Sequence, residues 1–268
     1  MKELEKGEKV SMTEFNREDP AIYRKTYSIS TGIGGLDEML DGGILRGQIT
    51  VVKAPTGGGK TTTALQFAHS CLQQGLSCSF ISSNMEEDYL IQMGKNFGWN
   101  FEDYINEGLL NFEVKPPITT EVEPLQKTMR GGSAINSKFK IEVISQRIEN
   151  LIQYIANLET KIVIIDSLSE FLLLTDSKLE RRGYVLHLYN AIKERNATAL
   201  INIEEEVPSE EAEIFADGII RFYRTQSKKT IRSVASVIKM RLKNHSREVR
   251  EYRITSEGIK IYSKHGVV

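Results

Sequence analysis

Eight consecutive residues, Ala54-Pro55-Thr56-Gly57-Gly58-Gly59-Lys60-Thr61, join three glycines to a lysine and a hydroxyl. Glycines let successive backbone N–H groups turn inward around an anion, and a helix starting there adds its dipole. In that arrangement Lys60 reaches the β- and γ-phosphates of a nucleoside triphosphate, and the Thr61 hydroxyl ligates Mg²⁺. The stretch reads as a phosphate-binding loop with Ala54 where the first glycine usually stands. Thr56, Gly57, Gly58, Gly59, Lys60, Thr61 and Thr62 are therefore the candidates for holding a nucleoside triphosphate. Asp166 is the candidate for holding Mg²⁺ opposite Thr61, because it ends an apolar β-branched run, Ile162-Val163-Ile164-Ile165. A carboxylate there faces the crevice where ligands bind in open α/β sheets. Glu86 and Glu87 also follow a predicted strand, and a carboxylate near the metal can orient or deprotonate the attacking water. Each acidic position has a structural reading too: Asp166 as a helix cap, and Glu86-Glu87 as acids facing a helix dipole.

These residues need a strand before the loop and a helix after it. Gln48 to Lys53 is a short β-branched run, and Thr61 to Gln74 carries apolar residues at helical spacing until Gly75. Further strands are expected at Ser77 to Ser83, Leu109 to Val114, Lys161 to Asp166 and Thr198 to Ile203, with helices from about Asp88 to Phe97 and Glu180 to Glu194. Ile141, Ile144, Ile148, Leu151, Ile152 and Ile155 mark another long amphipathic helix. Such alternation implies an α/β fold with a mainly parallel sheet flanked by helices. Gly218 to Arg224, Arg232 to Met240 and Glu251 to Tyr262 turn back without long helices, which suggests an antiparallel C-terminal extension of that sheet. Residues 1–25 read as a charged extension and 26–268 as one domain. Tyr27 to Leu40, with Ser30 to Asp37 within it, is expected to hold a short helix with a Ser/Thr start, and Lys115 to about Lys140 a long irregular loop.

The chain has 268 residues, a net charge of −1 and two cysteines. Near-neutrality argues against gripping nucleic acid by bulk charge, and two cysteines make no disulfide framework. No apolar run approaches a membrane span, and Met1 to Val10 lacks the apolar core of a signal peptide, so a soluble cytoplasmic protein is expected.

Several motifs occur in one order: Thr31-Gly32-Ile33-Gly34-Gly35-Leu36-Asp37, Gly42-Gly43, the phosphate loop, Met85-Glu86-Glu87, Phe97-Gly98-Trp99, Ile164-Ile165-Asp166-Ser167-Leu168 and Lys239-Met240-Arg241. Together they resemble the RecA/RadA superfamily of ATPases, and within it the KaiC-like domains, from about residue 27 to residue 262. The resemblance implies a RecA-like fold and a homo-oligomeric ring, expected to be hexameric, with ATP held between neighbouring subunits. It also implies that Lys239 and Arg241 reach across the interface to a neighbour's nucleotide. Two residues apart on one strand, they share a face. Met240 and His245 match positions near the adenosine moiety, and Asn96 a polar position near the base. Phe97 and Trp99 are expected to pack rather than to stack on the base. Leu242-Lys243 replaces the small Gly-Thr pair of the family, and Glu213-Ile214 stands near its phosphorylated Ser-Thr pair. Clock-type autophosphorylation is therefore not expected there, and Ser133 and Ser137 remain the candidate acceptors for any autokinase activity.

Three functions follow from the residues and the resemblance. The first is an Mg²⁺-dependent ATPase that drives assembly or regulation through a protein partner. The second is a non-hydrolysing scaffold gated by nucleotide, similar to the archaellum accessory ATPase subunit. The third is a recombinase paralogue acting on single-stranded DNA through Lys127, Arg130, Lys138 and Lys140. The acidic stretch Glu204, Glu205, Glu206, Glu210, Glu211 and Glu213 disfavours that third function.

Overall fold

The computed structural model describes residues 27–114, 146, 148–227 and 230–262. The apolar runs assemble into one nine-stranded sheet, joined by a small two-stranded ribbon. The ribbon pairs β1 (Ser28–Ile29) with β2 (Ile44–Leu45). The large sheet holds β3 (Ile49–Ala54), β4 (Cys78–Ser82), β5 (Leu110–Val114), β6 (Ile162–Asp166) and β7 (Thr198–Glu204). It continues with β8 (Gly218–Ser227), β9 (Thr230–Met240), β10 (Arg250–Thr255) and β11 (Gly258–Ile261), in the order β11-β10-β9-β8-β3-β7-β6-β4-β5. Strands β5 to β8 across this order are parallel; β9, β10 and β11 are antiparallel. Strands β4 and β6 are buried along their whole length, as strands covered on both faces must be.

The helices are α1 (Leu36–Met39), α2 (Lys60–Gln73), α3 (Glu87–Asn96), α4 (Phe101–Asn106), α5 (148–156), α6 (Ser169–Leu172), α7 (Lys178–Glu194) and α8 (Glu210–Phe215). On one face α2 buries Ala64, Leu65, Phe67 and Ala68 against Phe80, Ile220 and Phe222. On the other, α5 and α7 bury Leu151, Ile155, Val185, Leu188 and Ile192 against β6 and β7. The two cores lie on opposite faces of the sheet, and each strand supplies alternate residues to both.

An aromatic cluster anchors α3 and α4 beside the sheet. Phe101 is fully buried and meets Trp99 at 6.4 Å and Phe112 at 6.0 Å between centroids, both edge-on. Gly94 of α3 lies directly against the Phe101 ring, so a side chain there would overlap it. Phe101→Ala is expected to lower stability by about 4 kcal/mol, the usual range for a truncated core aromatic. A shift of the urea midpoint at unchanged slope would report it.

The fold is the expected α/β arrangement, with three local differences. Gly218 to Arg224 lies in β8, which pairs parallel with β3, so the antiparallel extension begins one strand later than its turn-rich sequence suggests. The short helix α1 starts at Gly35 rather than at a Ser/Thr cap. Ser30 and Thr31 instead bind the Asp37 carboxylate, through Ser30 Oγ at 2.5 Å, Thr31 Oγ1 at 2.6 Å and Thr31 N at 2.8 Å. The acidic stretch after β7 contains α8, and several of its carboxylates are paired. Glu211 meets Arg181 at 3.6 Å and Glu213 meets Lys53 at 2.8 Å, while Arg221 pairs with Glu205 and Lys178 with Glu210. Apart from these differences, the helix marked by Ile141 and Ile144 is described only from residue 146, and the loop with Lys127, Arg130, Ser133, Ser137, Lys138 and Lys140 lies outside the described residues.

Candidate functional site

Four parallel strands bring their C-terminal ends to one edge. β3 leads into the glycine loop, β7 ends at Glu204 opposite Ala54, β6 ends at Asp166, and β4 ends at Ser82 opposite Asp166. Order reverses around β3 and β7, and that is where a crevice opens in such sheets. The glycines serve the loop's shape: Gly57 and Gly59 have φ of 71° and 91°, in the left-handed region that side chains resist. The three glycines together turn the backbone into the N-terminus of α2, whose first residue is Lys60.

Thr61 Oγ1 donates to Asp166 Oδ2 at 2.7 Å, which joins the two candidate metal residues directly. Asp166 is almost fully buried, and burial pushes its carboxyl above the ordinary range; hydrogen bonds from Thr61 and Asn202 oppose that shift. Asn202, in β7 between β3 and β6, donates to Asp166 Oδ1 at 2.8 Å and to the Lys60 carbonyl at 2.8 Å. Its own Oδ1 is buried with no partner among the described residues, an acceptor that a bound water would satisfy. The pair Thr61–Asp166 and this free acceptor fit Mg²⁺ held through one hydroxyl and a water shell. No larger cluster of His, Cys, Asp and Glu suited to a metal occurs among the described residues, so phosphate oxygens and water must complete any shell.

The Lys60 ammonium lies 3.3 Å from Glu204 Oε1 and 3.4 Å from the carbonyls of Ala54 and Pro55. Glu204 therefore holds the lysine across the mouth of the loop. Thr62 is buried at the start of α2 beside them. A second carboxylate, Glu170 of α6, accepts from Ser167 Oγ at 2.8 Å and Ser83 Oγ at 2.9 Å. Neither Asn202, Glu204 nor Glu170 was legible as a site residue. Asn202 breaks the apolar run of β7, and such a polar residue inside a buried strand is the signal that points to it.

Glu86 caps the start of α3 and Glu87 is its first residue. Both follow β4, the neighbour of β6, on the same edge as Asp166. Glu86 is exposed and Glu87 half-buried, and neither carboxylate forms an ion pair or hydrogen bond with a described residue.

Other expected residues stand elsewhere. Met240 pairs with Gly218, and Gly218 with Thr50, four residues before Ala54. At ~3.3 Å per residue, Lys239, Met240 and Arg241 lie roughly 13 Å below the start of their own loop. Lys239 Nζ donates to the carbonyls of Glu213 at 3.1 Å and Ile214 at 3.0 Å. Arg241 donates to the same Ile214 carbonyl at 3.4 Å and lies 3.5 Å from Asp217 Oδ1. Burial, and then the Arg241 charge, lower the pKa of Lys239. The two side chains thus share one surface at the opposite edge of the sheet. His245 is nearby in sequence, its ring bound to the Ser246 carbonyl at 3.0 Å. Leu242 takes a left-handed φ of 64°, and Lys243 is buried with Nζ on the Gly43 carbonyl at 2.9 Å. Lys243 thereby ties the segment after β9 to the β1–β2 ribbon. Asn96 ends α3, about 14 Å along the helix from Glu87, and accepts from Gln92 at 3.3 Å. Trp99 is buried, stacked on Phe97 at 4.8 Å and on His69 at 5.7 Å.

Known proteins resemble this chain in sequence and in fold. A UPF0273 protein of Methanopyrus kandleri is 28% identical over 249 residues, covering 87% of this chain and 91% of its own. One from Thermotoga maritima is also 28% identical, covering 89% and 97%. The circadian clock oscillator protein KaiC of Rippkaea orientalis is 26% identical across 87% of this chain, which spans only 44% of that protein. Among solved structures, a KaiC-like protein of Pyrococcus horikoshii superposes with a TM-score of 0.70 at 22% identity, covering 88% of this chain and 99% of its own; that likeness concerns the fold. The model of the family described as "ATPase: KaiC" matches residues 29–266, nearly the whole chain, and the protein therefore belongs to the KaiC ATPase family.

Proposed function

We propose that the protein is an Mg²⁺-dependent ATPase that works as a homo-oligomeric ring, with each nucleotide shared between adjacent subunits. One observation carries the reading. The phosphate loop with Thr61 and Asp166 occupies one edge of the sheet, while Lys239 and Arg241 share a surface at the other. A cationic pair that far from its own loop can meet a nucleotide only on a neighbouring copy.

In this reading the loop N–H groups and Lys60 bind the β- and γ-phosphates. As Lys60 turns to phosphate, its contact with Glu204 is given up or shared. Thr61 and Asp166 would hold Mg²⁺, which when bound draws negative charge from the phosphate oxygens. Asn202 orients Asp166 by its hydrogen bond and ties it to the start of α2. Glu86 or Glu87 takes the proton of the attacking water. Lys239 and Arg241 of the adjacent copy neutralise the charge that develops on the transferred group. Turnover then alters the contacts between copies, which suits regulation or assembly on a protein partner.

Steady-state hydrolysis measured across protein concentrations tests the ring: specific activity is expected to rise with concentration and then saturate. Flat, negligible turnover with tight ATP binding would favour the nucleotide-gated scaffold. Glu86→Gln/Glu87→Gln is expected to lower turnover by at least about 100-fold with ATP affinity kept, the usual scale for a lost general base. Because neither side chain has a partner among the described residues, the fold should not change. Unchanged turnover would remove this acidic pair from the chemistry and direct attention to Glu204 and Glu170.

A further inference from the structure

The outer side of the phosphate loop is held by two side chains from the C-terminal half of the sheet. Arg224 of β8 donates through Nη2 to the Thr56 carbonyl at 3.2 Å. Tyr252 of β10 donates through its hydroxyl to the Gly58 carbonyl at 2.8 Å. The topology puts them there. Pairing of β8 with β3 ends at Arg221 and Lys53, so Arg224 stands three residues further on, level with the loop. Ile220, Phe222 and Arg224 share a face by strand alternation. The Tyr252 ring packs edge-on against Phe222 at 4.8 Å, which fixes its hydroxyl under the loop. Tyr252 is buried. Arg224 forms no ion pair with a carboxylate among the described residues. Its charge is close enough to lower the pKa of Tyr252, against the larger effect of burial.

Both peptide groups are trans, since the only cis bond in the described chain joins Asp166 to Ser167. In a trans peptide the C=O and the following N–H point in opposite directions. With the Thr56 and Gly58 oxygens held outward, the N–H groups of Gly57 and Gly59 turn to the inner side, where phosphate binds. A guanidinium on the Thr56 carbonyl also polarises that peptide and makes its N–H a stronger donor. Space is tight: a Cβ at Gly57 would lie 3.2 Å from Arg224 Nη2.

We propose that Arg224 and Tyr252 clamp the phosphate loop from outside by its Thr56 and Gly58 carbonyls, with Arg224 a positioning residue for the β- and γ-phosphates of the same subunit. The inference rests on the nucleotide reading above. It differs from the Lys239 and Arg241 role in acting within one chain.

Titration calorimetry of the full chain with ATP and ADP in Mg²⁺ tests it. Arg224→Ala is expected to weaken both ligands about tenfold, the scale of one lost charge-assisted hydrogen bond. The thermal midpoint of the nucleotide-free variant should match wild type. Arg224→Lys, which keeps a donor for one carbonyl, should recover part of the affinity. Tyr252→Phe keeps the ring on Phe222 and loses only the hydroxyl; it should weaken binding about threefold. ATP affinity unchanged in both Arg224→Ala and Tyr252→Phe overturns the clamp. Loss of affinity that tracks a lowered thermal midpoint, without rescue by lysine, overturns it as well. A wild-type chain that binds neither nucleotide refutes the nucleotide reading itself, a result distinct from equal binding by wild type and variants.

Discussion

Arg241→Ala is expected to lower ATP turnover about a thousandfold while ATP affinity changes little. Arginines supplied to phosphoryl transfer across an interface contribute on that scale. Position is the reason for expecting the effect in trans. Arg241 follows the end of β9, whose last residue is level with Thr50 at the foot of β3, whereas its own phosphate loop begins beyond Ala54. The side chain is half exposed and its contacts with Asp217 and Ile214 are long, at 3.5 Å and 3.4 Å, so little is lost from the fold on truncation. Subunit mixing separates the two geometries. An Arg241→Ala chain mixed with a Lys60→Ala chain should regain turnover, because some interfaces then pair an intact loop with an intact arginine. Recovery absent at every mixing ratio would assign Arg241 to its own subunit or to structure alone.

Lys60→Ala is expected to raise the dissociation constant for ATP by at least about 100-fold and to abolish measurable turnover. Two effects add. The ammonium proposed to meet the β- and γ-phosphates is removed, and Glu204, 3.3 Å from that ammonium, is left as an uncompensated anion where the triphosphate is proposed to bind. Lys60→Ala/Glu204→Gln should therefore regain about tenfold of the lost affinity, and Glu204→Gln alone should bind ATP more tightly than wild type. Calorimetry on the four chains gives the coupling directly. An additive result would mean that Glu204 stands clear of the phosphates once ATP is bound.

How far the residues alone carried the reading differs between the loop and the rest. Three glycines before Lys60-Thr61, set between a β-branched run and a helical one, determine their own conformation locally, and the loop stands where the pattern put it. The same holds for β6, whose four uninterrupted apolar residues before Asp166 suit a strand covered on both faces. Asp166 was legible because it ends such a run.

Strand order is another matter, since it depends on pairings between residues far apart in the chain. That β7 inserts between β3 and β6 places Asn202 against Asp166 and Glu204 against Lys60, and no local pattern around either residue carries that information. The parallel pairing of β8 with β3 has the same origin: its own sequence reads as a hairpin strand, yet its inner neighbour is the loop strand. The acidic stretch after β7 reads in the sequence only as a run of like charge that disfavours DNA, and packing of α8 against Arg181 and Lys53 turns part of it into ion pairs. Local chemistry determined what this protein can bind, because a phosphate cradle is a property of a few adjacent peptides. Tertiary structure decided which groups serve that cradle from outside and which stand at the far edge of the sheet, because both depend on the order in which distant strands pair.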